Sequence, residues 1–191
     1  FVPIEKLNKF TKNNHQGIVA TISPISTLDI NGLEGKLKNT KSLLILVLDG
    51  ITDTKNFGAI IRSEECFYVD LIIIPKTGSS PINGETIKSS SGAIFNVPIC
   101  KVNHIKDAIF LLKENEINLV GTSDKGLSSL YEHKFNSRTA IIIGSEGQGV
   151  NKSVLKLCDQ VVNIVMQGKI SSLNVSVATG IFLSEFRRQL N

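Results

Sequence analysis

The chain has 191 residues, 41% apolar and 20% charged, with a formal charge of +4. That balance excludes an extended disordered chain, and the length suits one large α/β domain able to bury a core. No run approaches the roughly twenty apolar residues of a membrane span, and no charged leader precedes an apolar stretch at Phe1, so the sequence reads as cytoplasmic.

Residues 1–40 are polar, rich in Asn and Lys, and their apolar positions keep no sustained period. They read as an N-terminal arm and linker, with a short helix over 4–10 and a short strand over 17–21. From Leu43 onward continuous apolar runs alternate with helical patterns, the signature of a parallel sheet covered on both faces, so 41–191 read as one α/β domain. The expected strands are 43–48, 71–74, 97–102, 118–121, 140–143 and 161–164. Helices are expected at 56–67, 85–90, 152–158 and 173–189, and Ile105, Ala108, Ile109 and Leu112 mark one apolar face of another. Cys66, Cys100 and Cys158 are odd in number and widely spaced, which suits reduced packing thiols better than a disulfide framework or a zinc knuckle. Lys36, Lys38 and Lys41, like Arg187 and Arg188, read as solvated surface, and so small a net charge is as ordinary for a soluble domain as for a polyanion binder.

In open parallel sheets ligands sit beyond the carboxyl ends of the strands, so chemistry is expected in the loops after Leu48, Gly121, Ile143 and Ile164. The first of these leads through Asp53 and Asn56 into a helix that carries Arg62. Asn56 and Arg62 are nearly two turns apart, and read alone they fit a helix cap with a solvated arginine as well as a site. A second loop, Gly144-Ser145-Glu146-Gly147-Gln148-Gly149, lets backbone N–H groups approach a ligand. Its spacing is not that of the dinucleotide fingerprint, and no acidic residue follows at a second strand, which disfavours a nicotinamide enzyme. The last loop passes Gly168 into a helix whose first turn carries Ser171, Ser172 and Asn174, with Leu173, Val177 and Ile181 as its apolar stripe and one serine as its expected cap. Ala178 and Gly180 leave room for a second backbone to pack close.

Taken in order, Asn56-x-Gly58-x-x-x-Arg62, Ile143-Gly144-x-Glu146-Gly147-x-Gly149 and Ser172-Leu173-Asn174-Val175-Ser176-Val177-Ala178 resemble the three motifs of the SpoU/TrmH family of RNA ribose 2′-O-methyltransferases. The resemblance covers roughly 43–190, and three ordered motifs are far more specific than one glycine loop. Within the family it is strongest to the bacterial 23S rRNA guanosine 2′-O-methyltransferases, through Asp53-x-x-Asn56-Phe57-Gly58 and His15-Gln16-Gly17-Ile18-Val19-Ala20. Those enzymes carry a small RNA-binding domain ahead of the linker, and Phe1-Val2-Pro3-Ile4 resembles its tail, so such a domain is expected upstream. Val165 stands where the family usually has proline, and Glu64, Glu65 and Tyr68 where small residues are common.

The resemblance implies a SPOUT-type fold: a parallel sheet flanked by helices, with a deep C-terminal trefoil knot that sequence pattern by itself would never suggest. It implies a homodimer, large-subunit ribosomal RNA as partner, and S-adenosyl-L-methionine as the cofactor, with no metal. Gly144, Ile164 and Leu173 would meet the cofactor chiefly through backbone groups, and Thr122 and Met166 would line the same pocket. Arg62 would stabilise the attacking ribose oxygen or clamp a phosphate, since a guanidinium with a pKa above about 12 is a poor base. Asn56, Glu146, Ser172 and Asn174 would orient the ribose and Arg62. Two other readings stay open: the same chemistry on transfer RNA, and a non-catalytic RNA-binding ribosome-assembly factor, against which the five polar residues stand.

Overall fold

The computed structural model describes residues 2–12, 14–38, 40–170 and 172–190. Two helices, α1 (Ile4–Leu7) and α2 (Ile30–Leu37), precede β1 (Leu43–Asp49), α3 (Thr54–Cys66), β2 (Leu71–Pro75) and α4 (Gly84–Ser89). A 3-10 turn (Ala93–Phe95) leads to β3 (Ile99–Val102), α5 (Ile105–Glu114), β4 (Asn118–Thr122) and β5 (Ser128–Ser129). The chain closes with β6 (Arg138–Gly144), α6 (Lys152–Leu155), β7 (Gln160–Asn163) and α7 (Val175–Leu190).

All seven strands run parallel, in the order β3-β2-β1-β6-β4-β7-β5. Alternation along β1 explains its unbroken apolar run, because successive side chains enter different layers. Leu44, Leu46 and Leu48 join the layer that holds Phe57, Ile60 and Ile61 of α3 and Phe182, Leu183 and Phe186 of α7. Leu43, Ile45 and Val47 join the opposite layer, with Leu33 and Leu37 of α2 and Ile105, Ala108, Ile109 and Leu112 of α5. No helix of the described residues is long and apolar enough to cross a membrane.

The first forty residues differ most from expectation. Residues 17–21 form no strand: Gln16 (φ 48°) and Gly17 (φ 85°) make a turn, and Ile18 is 79% exposed. The first helix stops at Leu7, well short of Phe10. Helix α2 was hidden by Gly32 and Gly35, each a poor helix former; Asp29 starts it by accepting from Gly32 N at 2.9 Å. Leu33 and Leu37, one turn apart, are its buried positions. Arg138 then fastens its end to the sheet, donating to Leu37 O at 3.1 Å and to Thr40 O at 2.5 Å. Elsewhere the shifts are small: β3 begins only after Pro98, which has no N–H for a ladder, and α6 ends at Leu155.

One connection wraps a strand. Residues 123–137 leave β4, run along the outer edge of β7, where β5 pairs Ser128 with Val162 and Ser129 with Asn163, and return to β6 on the far side of β4. Gly126 makes the crossing possible, since a Cβ there would lie 2.7 Å from Val162 C. After β7 the chain runs back to α7, which packs on α3 and β6. The C-terminal turn holds the strap: Gln189 Nε2 donates to His133 O at 2.8 Å, and Phe135 N donates to Gln189 Oε1 at 3.0 Å.

Candidate active site

Asp53 fixes the first site residue. Its Oδ1 accepts from Asn56 N at 2.7 Å and caps α3, which leaves the Asn56 side chain directed outward from the third helical position. Two residues on, Gly58 is required by packing: a Cβ would fall 1.9 Å from Ser89 Oγ, so only glycine lets α4 lie this close. The loop after β6 folds back on itself, with Gly149 N donating to Ser145 O at 2.9 Å. A Cβ on Gly144 would sit 1.9 Å from Gly149 C, and Gly147 (φ 83°) and Gly149 (φ 67°) take left-handed conformations. Asn151 N donates to Asp49 Oδ2 at 2.8 Å, tying this loop to the end of β1 and holding Glu146 out at its tip. At the start of α7 the cap is Asn174 rather than a serine: its Oδ1 accepts from Ser176 N at 3.0 Å and from Ser176 Oγ at 2.5 Å.

These three loops meet. Asn174 Nδ2 donates to Glu146 Oε1 at 2.8 Å and to Asn56 Oδ1 at 2.9 Å, and Asn56 Nδ2 donates to Glu146 Oε1 at 3.2 Å. Val175 N adds a third donor to that oxygen at 3.2 Å. Both amides have only one workable orientation, because capping requires the Asn174 oxygen to face α7. Glu146 Oε1 is therefore saturated with donors, whereas its Oε2 has no hydrogen-bond partner among the described residues. The cluster lies at the surface, with Glu146 and Asn174 exposed, so a hydroxyl can reach the free oxygen.

The structure does not bring Arg62 or Ser172 into this cluster. Six residues at about 100° each put Arg62 about 120° around α3 from Asn56; it is exposed and unpartnered among the described residues. Ser172 is also exposed and makes no bond to the three, and Ser171 lies outside the described residues. The Thr122 hydroxyl is engaged by the main chain, donating to Ile142 O at 3.0 Å. Ile164, Met166 and Leu173 are half-buried. Val175 N, a donor as close to Glu146 as Asn56 is, had no sequence signal, because a backbone group carries none. Of the cysteines, burial pushes the Cys100 and Cys158 thiols up to about 11, as packing residues require, while Cys66 is exposed on α3.

The strands β1, β6, β4 and β7 are neighbours, so the four loops expected to carry chemistry stand side by side along one carboxyl edge. Gly147, Gly149 and Gly168 have nothing within 4 Å of where a Cβ would stand, which leaves their backbone open to close approach by a ligand. With the half-buried apolar surface of Ile164, Met166 and Leu173 beside them, these loops fit an adenosyl group.

Such a sheet, with three motif loops converging at the carboxyl edge, defines an α/β methyltransferase of the SPOUT class. Residues 43–184 match the SpoU rRNA methylase family, and the chain belongs to it. It is similar to the 23S rRNA (guanosine-2′-O-)-methyltransferase RlmB of Yersinia pestis, with 38% identity over 92% of this chain and 71% of that protein. RlmB of Vibrio vulnificus is 39% identical over the same shares of the two chains. Among solved structures, the SpoU methyltransferase AviRb of Streptomyces viridochromogenes, in complex with the cofactor AdoMet, superposes with a TM-score of 0.77 at 26% identity. That match covers 86% of this chain and 66% of AviRb, so the chain spans just under two thirds of the AviRb length.

Proposed function

We propose that this chain transfers a methyl group from S-adenosyl-L-methionine to the ribose 2′-hydroxyl of a guanosine in 23S ribosomal RNA, in the cytoplasm and as a homodimer. The observation that carries the reading is the meeting of Asn56, Glu146 and Asn174, one residue from each motif, within hydrogen-bond distance. The RNA and the guanosine follow from the likeness to RlmB over nine tenths of the chain. When bound, the cofactor supplies a methyl group on an electrophilic sulfonium. The chain's own residues must align the acceptor hydroxyl and stabilise charge on its oxygen.

Glu146, held by three N–H donors, keeps one carboxylate oxygen directed at the position a ribose hydroxyl would take, with Asn56 and Asn174 fixing its orientation. Arg62 and Ser172 lie outside the cluster formed by Asn56, Glu146 and Asn174; with RNA bound, Arg62 would stabilise the developing alkoxide or grip the adjoining phosphate, and Ser172 would close over the ribose. Gly144, Ile164 and Leu173 hold the cofactor by backbone groups, with Thr122 and Met166 beside it. We further propose that the chain threads the 123–137 strap as a trefoil knot, and that residues 1–40 act as arm and linker to RNA-binding elements.

The test is tritiated methyl incorporation into unmodified 23S ribosomal RNA, with ribose methylation mapped by nucleotide. A single methylated guanosine is expected. Arg62→Ala should lose two to three decades in rate, about 3 to 4 kcal/mol, while keeping its cofactor affinity. Methylation of transfer RNA instead, or none with either RNA, would refute the reading.

A further inference from the structure

Strand β7 ends at Asn163, whose side chain does something the three motifs do not account for. Its Nδ2 donates to Gly126 O at 2.7 Å, and its carbonyl accepts from Leu130 N at 2.8 Å. Asn163 thus grips both ends of the stretch of strap that crosses β7, against which Gly126 is pressed so closely that a Cβ would lie 2.9 Å from Asn163 N. Gly126 O can only accept, so the amide nitrogen must face it and the amide oxygen must face away. That oxygen, Oδ1, is buried and has no hydrogen-bond partner among the described residues. A buried carbonyl oxygen left unpaired is costly and uncommon, and it marks a place where a donor is missing.

Its position says which donor. Asn163 directly precedes Ile164, and its strap partners follow Thr122, so it stands between two of the loops that would enclose the cofactor. Those loops are otherwise fitted to the ligand by backbone and apolar groups, and a nucleoside carries N–H and O–H donors on its base and sugar. We propose that Asn163 is a cofactor-binding residue: Nδ2 fastens the strap, and Oδ1 accepts a hydrogen bond from the adenosine moiety. This rests on S-adenosyl-L-methionine being the cofactor.

The whole chain should be titrated by calorimetry with S-adenosylhomocysteine and with its inosine analogue, in which a carbonyl replaces the adenine amine. Asn163→Leu, with the same branching and neither polar atom, gives up the bond to Gly126 O as well and should have a lowered ligand-free thermal midpoint; it should bind S-adenosylhomocysteine about tenfold or more weakly than the wild type. If the amine is the donor, the wild type prefers adenosine over inosine and the variant does not; if a ribose hydroxyl is the donor, both ligands weaken equally. Hydrogen exchange on the wild type provides an independent measure: ligand should protect the amides of 126–130. A variant that binds within twofold of the wild type, or an unprotected strap, overturns the role of Asn163 alone. A wild-type chain that binds neither ligand overturns the cofactor reading with it.

Discussion

Glu64 and Arg62 lie two residues apart on α3 and meet opposite surroundings. Arg62 projects into solvent, whereas Glu64 is fully buried, and neither of its carboxyl oxygens has a hydrogen-bond partner among the described residues. Burial holds its pKa well above the usual carboxylate range, because an ion in an apolar layer without a counter-charge is too costly. The folded chain therefore keeps Glu64 protonated, while the unfolded chain releases the proton above about pH 4.3. Unfolding then gives up a proton, and stability falls as pH rises from that point toward the raised folded pKa, by at most about 1.4 kcal/mol per pH unit. Replacing Glu64 by Leu should remove this slope and stabilise the protein at neutral pH. Denaturant midpoints of the two proteins between pH 5 and 8 should diverge as pH rises; parallel curves would show that the carboxyl finds a partner. The sequence marked Glu64 as unusual among small residues, but burial and the missing partner are three-dimensional facts that no local pattern carries.

At the scale of elements, the start of α7 joins folding to chemistry through one side chain. Asn174 Oδ1 caps the helix and its Nδ2 supports Glu146 and Asn56, so the two ends of one amide serve stability and the site separately. Asn174→Ala loses both, and the cap alone costs about 1 kcal/mol. Asn174→Asp separates them: aspartate is as good a cap, but it brings a second carboxylate against Glu146 and has no N–H to offer. The Asp variant should keep a near wild-type thermal midpoint and lose methyl transfer, whereas full activity would show the cluster to be structural only. This element was legible in part. The sequence placed a helix here but not its buried face: Leu173 precedes α7, Val177 is half exposed, and Val175, Phe182, Leu183 and Phe186 are the buried apolar positions, while the cap expected of a serine falls to Asn174. Likewise Asp53 and Asn56 were equal candidates to cap α3, and Asp53 takes the role because its backbone is still extended (ψ 126°). Helix α2 went unread for the reverse reason, since two glycines masked a helix whose stability comes from burying Leu33 and Leu37 rather than from propensity.

Over the whole molecule, six of the seven strands were readable from their apolar runs, whereas β5 was not, because Ser128 and Ser129 are polar and only half-buried, and the strand order was not readable either. The placement of β6 between β1 and β4, and of β7 between β4 and β5, depends on contacts far apart in sequence. That order is what makes the site. It sets the loops after β6, β4 and β7 beside one another and leaves those after β2 and β3 at the other end of the sheet. A ligand held by the first group should therefore stabilise the molecule unevenly. At a hundred times its dissociation constant S-adenosylhomocysteine should add about 2.7 kcal/mol, which for a chain of this size raises the thermal midpoint by roughly 5 to 10 °C. Hydrogen exchange should slow most in 123–130, 144–149 and 164–174, and little in 76–83 or 103–104, which follow β2 and β3. Arg62→Ala, whose side chain lies outside those loops, should show the same shift as the wild type, which separates binding from chemistry. Protection concentrated instead beyond β2 and β3, or a midpoint that does not move at saturating ligand, would place the cofactor elsewhere on the sheet and detach the three motif loops from it.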